Sequence, residues 1–236
     1  MKKIKNKIKL LVKILIGREI YIKNQVKLLT KWYGNTNAGF YVYTKPLNSK
    51  SIIYSFGVGE DISFDEELIK EFDCKVYAFD PTPKSILYVK NNISSNNFIF
   101  YPYGIYNYDG TIGFFLPKNP NHVSCTTSKI SDNGQSSDNL IKVPVKKFST
   151  IIKDLAHKKI EILKMDIEGS EYDILDDVLN SPVEINQILI EFHHRFPTIS
   201  KSRTKEAIKK LNNFGYKLAA VSDQNEEFTF IKLKYS

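Results

Sequence analysis

The chain has 236 residues, which is long enough for one sizeable α/β core. Its hydrophobic content of 42% and charged content of 25% are those of an ordinary globular protein, which excludes a largely disordered chain. Two cysteines in a chain of this length exclude a disulfide framework and match no paired metal spacing, so we expect a cytoplasmic protein.

The net charge of +8 is concentrated at the N-terminus. Residues 1–35 contain ten lysines and arginines and one acidic residue, Glu19, so residues 36–236 are close to neutral. A basic surface over the main domain is therefore not expected, and we predict no nucleic-acid partner.

Residues 1–45 are predicted to form a basic, amphipathic helical arm in front of a domain of residues 46–236. Apolar residues recur at helical spacing with lysines on the other face: Ile4, Ile8, Leu11 and Leu15. The apolar run 10–16 is too short to cross a bilayer. Two interpretations stay open: residues 1–35 lie on the inner face of a membrane, or the helix packs on the domain or on a second subunit of a homodimer.

After the arm, predicted strands and helices alternate, which indicates a mainly parallel sheet with helices on both faces. Strands are predicted at 51–56, 75–79, 141–146, 160–166, 187–193, 216–222 and 227–234. Helices are predicted at 62–72, from Pro83, near 148–157, from Ser170 to about Asn180, and near 202–213. Asp109-Gly110 predicts a hairpin between its flanking strands, and 117–139 predicts a long functional loop.

The first strand ends in Gly57-Val58-Gly59, followed by Glu60 and Asp61. Alone, this glycine pattern also fits an ordinary tight turn. Asp80 follows the next strand at the distance, about 20 residues, at which a carboxylate reaches ribose hydroxyls. Two carboxylates at a helix start would repel a pyrophosphate, but they suit the sulfonium and ammonium groups of S-adenosylmethionine (SAM). The pattern therefore favours SAM over NAD or FAD.

Four stretches carry a family resemblance: LKMDIEGSEYDIL at 163–175, VYAFDPTPKS, PYGIYNYDGTIGFF and ILIEFHH. From about residue 51 to its C-terminus the chain resembles the FkbM family of SAM-dependent methyltransferases. The resemblance implies an α/β, class I (Rossmann-like) methyltransferase fold with a mainly parallel seven-stranded sheet. It also implies methyl transfer to oxygen, frequently in polysaccharide or secondary-metabolite pathways. The chain departs from the family at Ser55, where an acidic residue is common, and at Phe148-Ser149, where a Leu-Asp pair is common.

The strand ends and the resemblance together give a predicted SAM-binding set. Its members are Ser55, Phe56, Gly57, Gly59, Glu60, Asp61, Asp80, Pro81, Tyr103, Gly104 and Asp166.

A second cluster is predicted where the fourth and fifth strands of the sheet end. Period-two geometry puts Glu191 and His193 on one face, and Asp166 is expected beside Glu191. A hydroxyl acceptor must lose a proton, so we predict His193 as general base, oriented by Glu191 or Asp166. The alternative is that His193 only satisfies a hydrogen bond at the sheet end. Glu171 is expected to add charge to the first turn of its helix and nothing more.

The same three residues, Asp166, Glu191 and His193, are the ligands that Mg²⁺ or Mn²⁺ would use. Their spacing matches no dedicated cation loop, so a divalent metal is not our main expectation. We predict a SAM-dependent O-methyltransferase acting on a hydroxyl of a sugar, glycan or related metabolite, with the 117–139 loop and its His122 near the acceptor. The alternatives are an N- or carboxyl-methyltransferase, or a catalytically silent nucleoside-binding or tethering protein.

Overall fold

The computed structural model describes residues 10–36, 38–93, 95–117 and 136–233. The first nine residues and residues 118–135, which contain most of the predicted loop together with His122, lie outside the described residues. Helix α1 covers residues 10–15 of the described part. The other helices are α2 (Ser63–Phe72), α3 (Pro83–Asn92), α4 (Phe148–Leu155), α5 (Glu171–Leu179) and α6 (Lys201–Asn213).

A seven-stranded sheet forms the centre of the domain. Its strands are β3 (Ile52–Phe56), β4 (Lys75–Phe79), β5 (Phe98–Tyr101), β9 (Lys159–Met165), β10 (Glu184–Glu191), β11 (Tyr216–Val221) and β12 (Glu227–Lys232). They lie in the order β11-β12-β10-β9-β3-β4-β5, and β12 runs in the direction opposite to the other six strands. The predicted mainly parallel, seven-stranded sheet is therefore confirmed.

Alternation along β3 shows why both faces of the sheet are covered. Tyr54 and Phe56 point to one buried cluster, which includes Ile174 of α5, while Ile53 points to the other, which includes Leu68 of α2. Successive side chains of a strand face opposite sides, so a strand that is apolar on both faces needs a layer of helices on each. The prediction of helices on both faces is confirmed.

A smaller sheet replaces the predicted hairpin at Asp109-Gly110. It consists of β6 (Gly104–Ile105), β7 (Gly110–Pro117) and β8 (Ser136–Lys146) in the order β6-β8-β7. The hairpin prediction is wrong because β8 lies between the two strands that the turn was expected to join. The Asp109 carboxylate instead accepts hydrogen bonds from the backbone N–H of Lys147 and the hydroxyl of Thr150, at the start of α4.

The segment before the main sheet is helical only in part. Strands β1 (Lys31–Tyr33) and β2 (Phe40–Val42) pair antiparallel, and Tyr33, Phe40 and Val42 are fully buried in the cluster under α2. The prediction of helix across residues 1–45 is therefore wrong for these strands, because helical spacing stops at Leu15. Among the described residues, no helix has the length and apolarity needed to cross a membrane.

Candidate active site

A cavity of about 240 Å³ lies at the carboxyl ends of β3, β4 and β9. This volume is close to the lower end of those typical for small-molecule sites. Nine of the eleven predicted SAM-binding residues line it: Phe56, Gly57, Gly59, Glu60, Asp61, Asp80, Pro81, Gly104 and Asp166. The cavity thus connects the glycine turn to the carboxylates of the next strand and of β9.

The glycine turn requires glycine at its first position. Gly57 has φ +84°, and a Cβ built there would lie 1.7 Å from the backbone oxygen of Asp166. Backbone therefore packs directly on backbone where β3 and β9 end, and the N–H of Asp166 donates to the carbonyl of Phe56 at 3.0 Å. This close approach places the Asp166 side chain beside the turn and in the cavity wall.

Asp80 holds the turn as well as facing the cavity. One of its carboxylate oxygens accepts from the backbone N–H groups of Val58 (2.9 Å) and Gly59 (3.0 Å). The other accepts from the backbone N–H and the hydroxyl of Thr82, the N-cap residue of α3. Two hydrogen bonds to each oxygen use the usual acceptor capacity of a carboxylate. A ribose hydroxyl that reaches Asp80 would therefore compete with the bonds that fix the turn.

Two predicted cofactor residues do not line the cavity. Ser55 is fully buried beneath α2, in register with Lys164 of β9. Tyr103 packs on Phe79 and Tyr101, and the ammonium of Lys146 lies 4.9 Å from the centre of its ring.

His193 is 92% buried and is surrounded by four carboxyl groups just behind the cavity wall. Its Nδ1 lies 2.9 Å from Glu171 Oε1. Its Nε2 faces the three others at distances of 3.5–3.9 Å: Glu168, Glu191 and Asp166. Strand register places Ile190 opposite Met165, so the expected position of Asp166 beside Glu191 is confirmed. Neither Glu191 nor His193 lines the cavity itself; Asp166 belongs both to the cavity wall and to the cluster.

Glu171 has a larger role than the sequence indicates. It is the first residue of α5, its side chain is fully buried, and its Oε1 accepts from the N–H groups of Ile167 (3.0 Å) and Gly169 (3.2 Å). The same oxygen contacts His193 Nδ1. The prediction that Glu171 adds only first-turn charge is wrong, because the side chain turns back into the loop after β9. Glu171, rather than Glu191 or Asp166, therefore orients the imidazole.

The carboxyl groups determine the protonation state of this cluster. Burial alone would lower the pKa of His193, but the charges of Glu171, Glu168 and Glu191 outweigh it and raise that pKa well above its usual value. Burial and the neighbouring Asp166 raise the pKa of Glu191 far above its usual range. At neutral pH these shifts favour the imidazolium form of His193 and the neutral carboxylic acid form of Glu191.

Asp166, Glu191 and His193 each offer one ligand atom, and these atoms lie within 4.8 Å of one another. Oxygen and imidazole ligands of this kind suit a hard or borderline divalent cation. The Nδ1 contact to Glu171 is the type of outer contact that commonly orients a histidine ligand. The residues present would therefore fit a divalent cation.

The sequence interpretation did not single out Lys164, which also lines the cavity. It is only 5% exposed and donates from Nζ to the carbonyl of Gly57 at 2.7 Å. A lysine inside the apolar strand sequence EILKM is unusual, because lysine is rarely buried without a specific partner. A lysine at this position in a buried strand could therefore have indicated a functional residue from the sequence alone.

A mainly parallel sheet whose strand order reverses beside β3, with a cavity at the carboxyl ends of the strands there, defines the Rossmann-like class of α/β proteins. The sequence profile of the methyltransferase FkbM domain matches residues 61–218. This match covers more than half of the chain, which therefore belongs to the FkbM methyltransferase family.

Three proteins similar to this chain share 24% identity or less with it. Methyltransferase-like protein 24 of Homo sapiens is 24% identical over 181 residues, which is 76% of this chain and 42% of the relative, so the chain spans less than half of that protein's length. The fibrillarin pre-rRNA processing protein of Methanococcus jannaschii aligns with a TM-score of 0.49 and 13% identity, over 81% of this chain and 70% of that one. Fibrillarin of Aeropyrum pernix in complex with S-adenosyl-L-methionine aligns with a TM-score of 0.46 and 8% identity, over 89% and 84% of the two chains.

Proposed function

We propose that this protein is a SAM-dependent methyltransferase that transfers the methyl group to a hydroxyl of a sugar, a glycan or a related metabolite. The observation that carries the proposal is the cavity joining the Gly57–Gly59 turn to Asp80 and Asp166. Family membership supports the reaction class. The choice of a hydroxyl rests on the cluster behind Asp166, which can take up the proton that an alcohol must lose.

The charges around the cavity support a cationic donor. Its described lining contains five carboxylates: Glu60, Asp61, Asp80, Asp166 and Glu168. A pyrophosphate cofactor normally binds to free backbone N–H groups at such a turn. Here the N–H groups of Val58 and Gly59 already donate to Asp80. SAM has no phosphate, and its sulfonium and ammonium are attracted by carboxylates, so SAM fits this lining better than NAD or FAD.

Methyl transfer to a hydroxyl breaks the bond between sulfur and the methyl carbon and forms a carbon–oxygen bond, while the hydroxyl proton leaves. Positioning supplies much of the acceleration of such an in-line displacement. Asp166 lines the cavity and also belongs to the cluster, which supports a meeting of donor and acceptor beside its carboxylate. We assign the proton to Nε2 of His193, with Glu171 holding Nδ1.

This assignment requires His193 to lose a proton before it can act as a base. Binding of a cationic donor beside Asp166 and Glu168 offsets the negative charge that holds the imidazole protonated. Donor binding therefore lowers the pKa of His193. The neutral ring then keeps its proton on Nδ1, which donates to Glu171, and Nε2 is free to accept the hydroxyl proton. The expected profile of kcat/KM rises with pH through an ionisation above the ordinary histidine value, because the free enzyme is protonated there.

Calorimetry with SAM, S-adenosylhomocysteine and NAD tests the donor. We expect binding of the two adenosyl compounds and none of NAD; a preference for NAD would contradict the proposal. The acceptor is then sought by incubating the protein with SAM and panels of sugars, nucleotide-sugars and glycans, with S-adenosylhomocysteine release and the mass of one added methylene as readouts. Methylation confined to amines or carboxylates would overturn the hydroxyl assignment.

For the base, His193→Gln should reduce kcat far more than the affinity for SAM. An equal loss of both would mean that His193 only maintains the structure. Asn212→Ala, in α6 and away from the cavity, serves as a control for general effects on the fold.

A further inference from the structure

The structure assigns to Lys164 the binding of the donor's α-carboxylate, so that this lysine selects for donors that carry the complete methionine group. This inference rests on the proposed use of SAM and names a contact within the same site. It depends on where Lys164 lies, on how it is partnered, and on which donors remain for an anion in the cavity.

Lys164 places a cation at the inner end of the cavity. It follows Leu163 on β9 and lies in register with Ser55 of β3, two residues before Asp166 and therefore on the same face of the sheet. The side chain is almost fully buried, and its ammonium lies 5.8 Å from the ring centre of Phe40. A buried lysine is costly unless hydrogen bonds or an anion offset the loss of hydration.

The partners present in the structure leave part of the ammonium available. An ammonium has three N–H donors, and one of them donates to the carbonyl of Gly57. None of the ion pairs within 4.0 Å among the described residues includes Lys164. Lys164 interacts electrostatically with the buried Asp65 of α2, whose Oδ1 has no hydrogen-bond partner among the described residues. Burial raises the pKa of Asp65 to about 6, so Asp65 is still mostly ionised at neutral pH and attracts the ammonium without forming an ion pair within 4.0 Å.

The cavity offers few other donors for an anion. Among its described lining residues Lys164 is the one cationic side chain, beside five carboxylates. The N–H groups of the glycine turn are already used by Asp80. SAM carries two positive groups and one carboxylate, so its positive groups suit the acidic lining and its carboxylate needs a donor. The ammonium of Lys164 supplies this hydrogen-bond donor beside the glycine turn, and its charge is opposite to that of the five carboxylates in the lining.

The test compares SAM with decarboxylated SAM, which lacks only the α-carboxylate, by calorimetry on three full-length proteins. These are the wild type, Lys164→Met, which keeps the length of the side chain, and Lys159→Met. Lys159 lies at the other end of β9, where it pairs with Glu161, and is the matched control. A charged hydrogen bond of this kind corresponds to a preference of about 10- to 150-fold for SAM in the wild type and in Lys159→Met. In Lys164→Met the preference should fall to about threefold or less, with little change for decarboxylated SAM.

Two outcomes would overturn the assignment. One is a wild type that binds SAM and decarboxylated SAM equally, a result that needs no variant to fold. The other is a Lys164→Met protein that loses affinity for both compounds to the same extent, which would mean that Lys164 only holds the glycine turn. Binding of neither compound by the wild type would refute the proposed donor together with this contact, and is thereby distinguished from failure of the contact alone.

Discussion

Glu171→Gln is the substitution that most sharply tests the role of the buried cluster. Glutamine keeps an oxygen in the position of Oε1, where it can still accept from the N–H groups of Ile167 and Gly169. It removes the negative charge that lies 2.9 Å from His193 Nδ1. The change therefore preserves the loop after β9 while weakening the contact that orients and charges the imidazole.

The size of the effect follows from the type of hydrogen bond that is lost. A hydrogen bond to a charged group contributes about 1.5–3 kcal/mol. At 1.36 kcal/mol for each factor of ten, the expected loss in kcat is roughly 10- to 150-fold. The pKa of His193 should fall, because the carboxylate that raises it most is gone. The rising limb of the kcat/KM profile should therefore move to lower pH.

Two measurements check this prediction. Nuclear magnetic resonance titration of the imidazole signals, assigned with a His193→Gln protein, reports the pKa directly and needs no acceptor; the chain has only four histidines. Turnover is followed by release of S-adenosylhomocysteine with the acceptor found in the screen. Asp173→Asn is the matched control, because Asp173 lies in the same helical turn, is exposed and pairs with Arg203. It should change kcat by no more than about twofold, as expected for an exposed ion pair. If Glu171→Gln leaves both the titration and kcat unchanged, the proposed role of Glu171 is wrong.

Three further predictions concern the frame around the site. Gly57→Ala should abolish SAM binding and unfold at a much lower temperature, because the added Cβ would overlap a backbone oxygen. Gly215 is also at positive φ but has open space around it, so Gly215→Ala should bind SAM normally. In thermal melts this control should lose only about 1–2 kcal/mol of unfolding free energy. Burial works to raise the pKa of Glu19, but hydrogen bonds from His194 and Arg195 outweigh it and lower that pKa to about 2 from 4.5. Glu19 therefore stabilises the protein fully above pH 4.5, and the difference in denaturation midpoint between wild type and Glu19→Gln should shrink as the pH falls toward 2; a constant difference would refute this. Deletion of residues 1–16 should leave the thermal midpoint nearly unchanged and remove any binding to anionic vesicles. Deletion of 1–35 should destabilise the fold, because it also removes the buried Glu19 and its bond to Arg195. Equal thermal midpoints for the two deletion variants would contradict this packing.

Local sequence patterns predict much of the frame and part of the site. The order of strands and helices and the Gly57-x-Gly59 turn follow from short-range periodicity and glycine spacing. The position of Asp166 beside Glu191 follows from the register of two strand ends. These features depend on residues that are close in sequence or on rules that hold for every parallel sheet.

The remaining features depend on contacts that no local pattern contains. Glu171 reads as an ordinary first-turn acid, and only the tertiary structure shows that it turns back to His193, 22 residues later. Glu19 contacts His194, which lies 175 residues later in the sequence. Because no local pattern indicates this contact, the sequence predicts a separate N-terminal arm. Strand β8 lies between β6 and β7, so the turn signal at Asp109-Gly110 was outweighed by pairing with a strand from later in the chain.

A crystal structure of the protein with S-adenosylhomocysteine bound would show whether the cavity is the donor site. We expect the nucleoside between Asp80-Pro81 and Gly104, with the sulfur beside Asp166 and the carboxylate on Lys164. A product molecule bound elsewhere on the protein, with none in the cavity at the ends of β3, β4 and β9, would refute the proposed site.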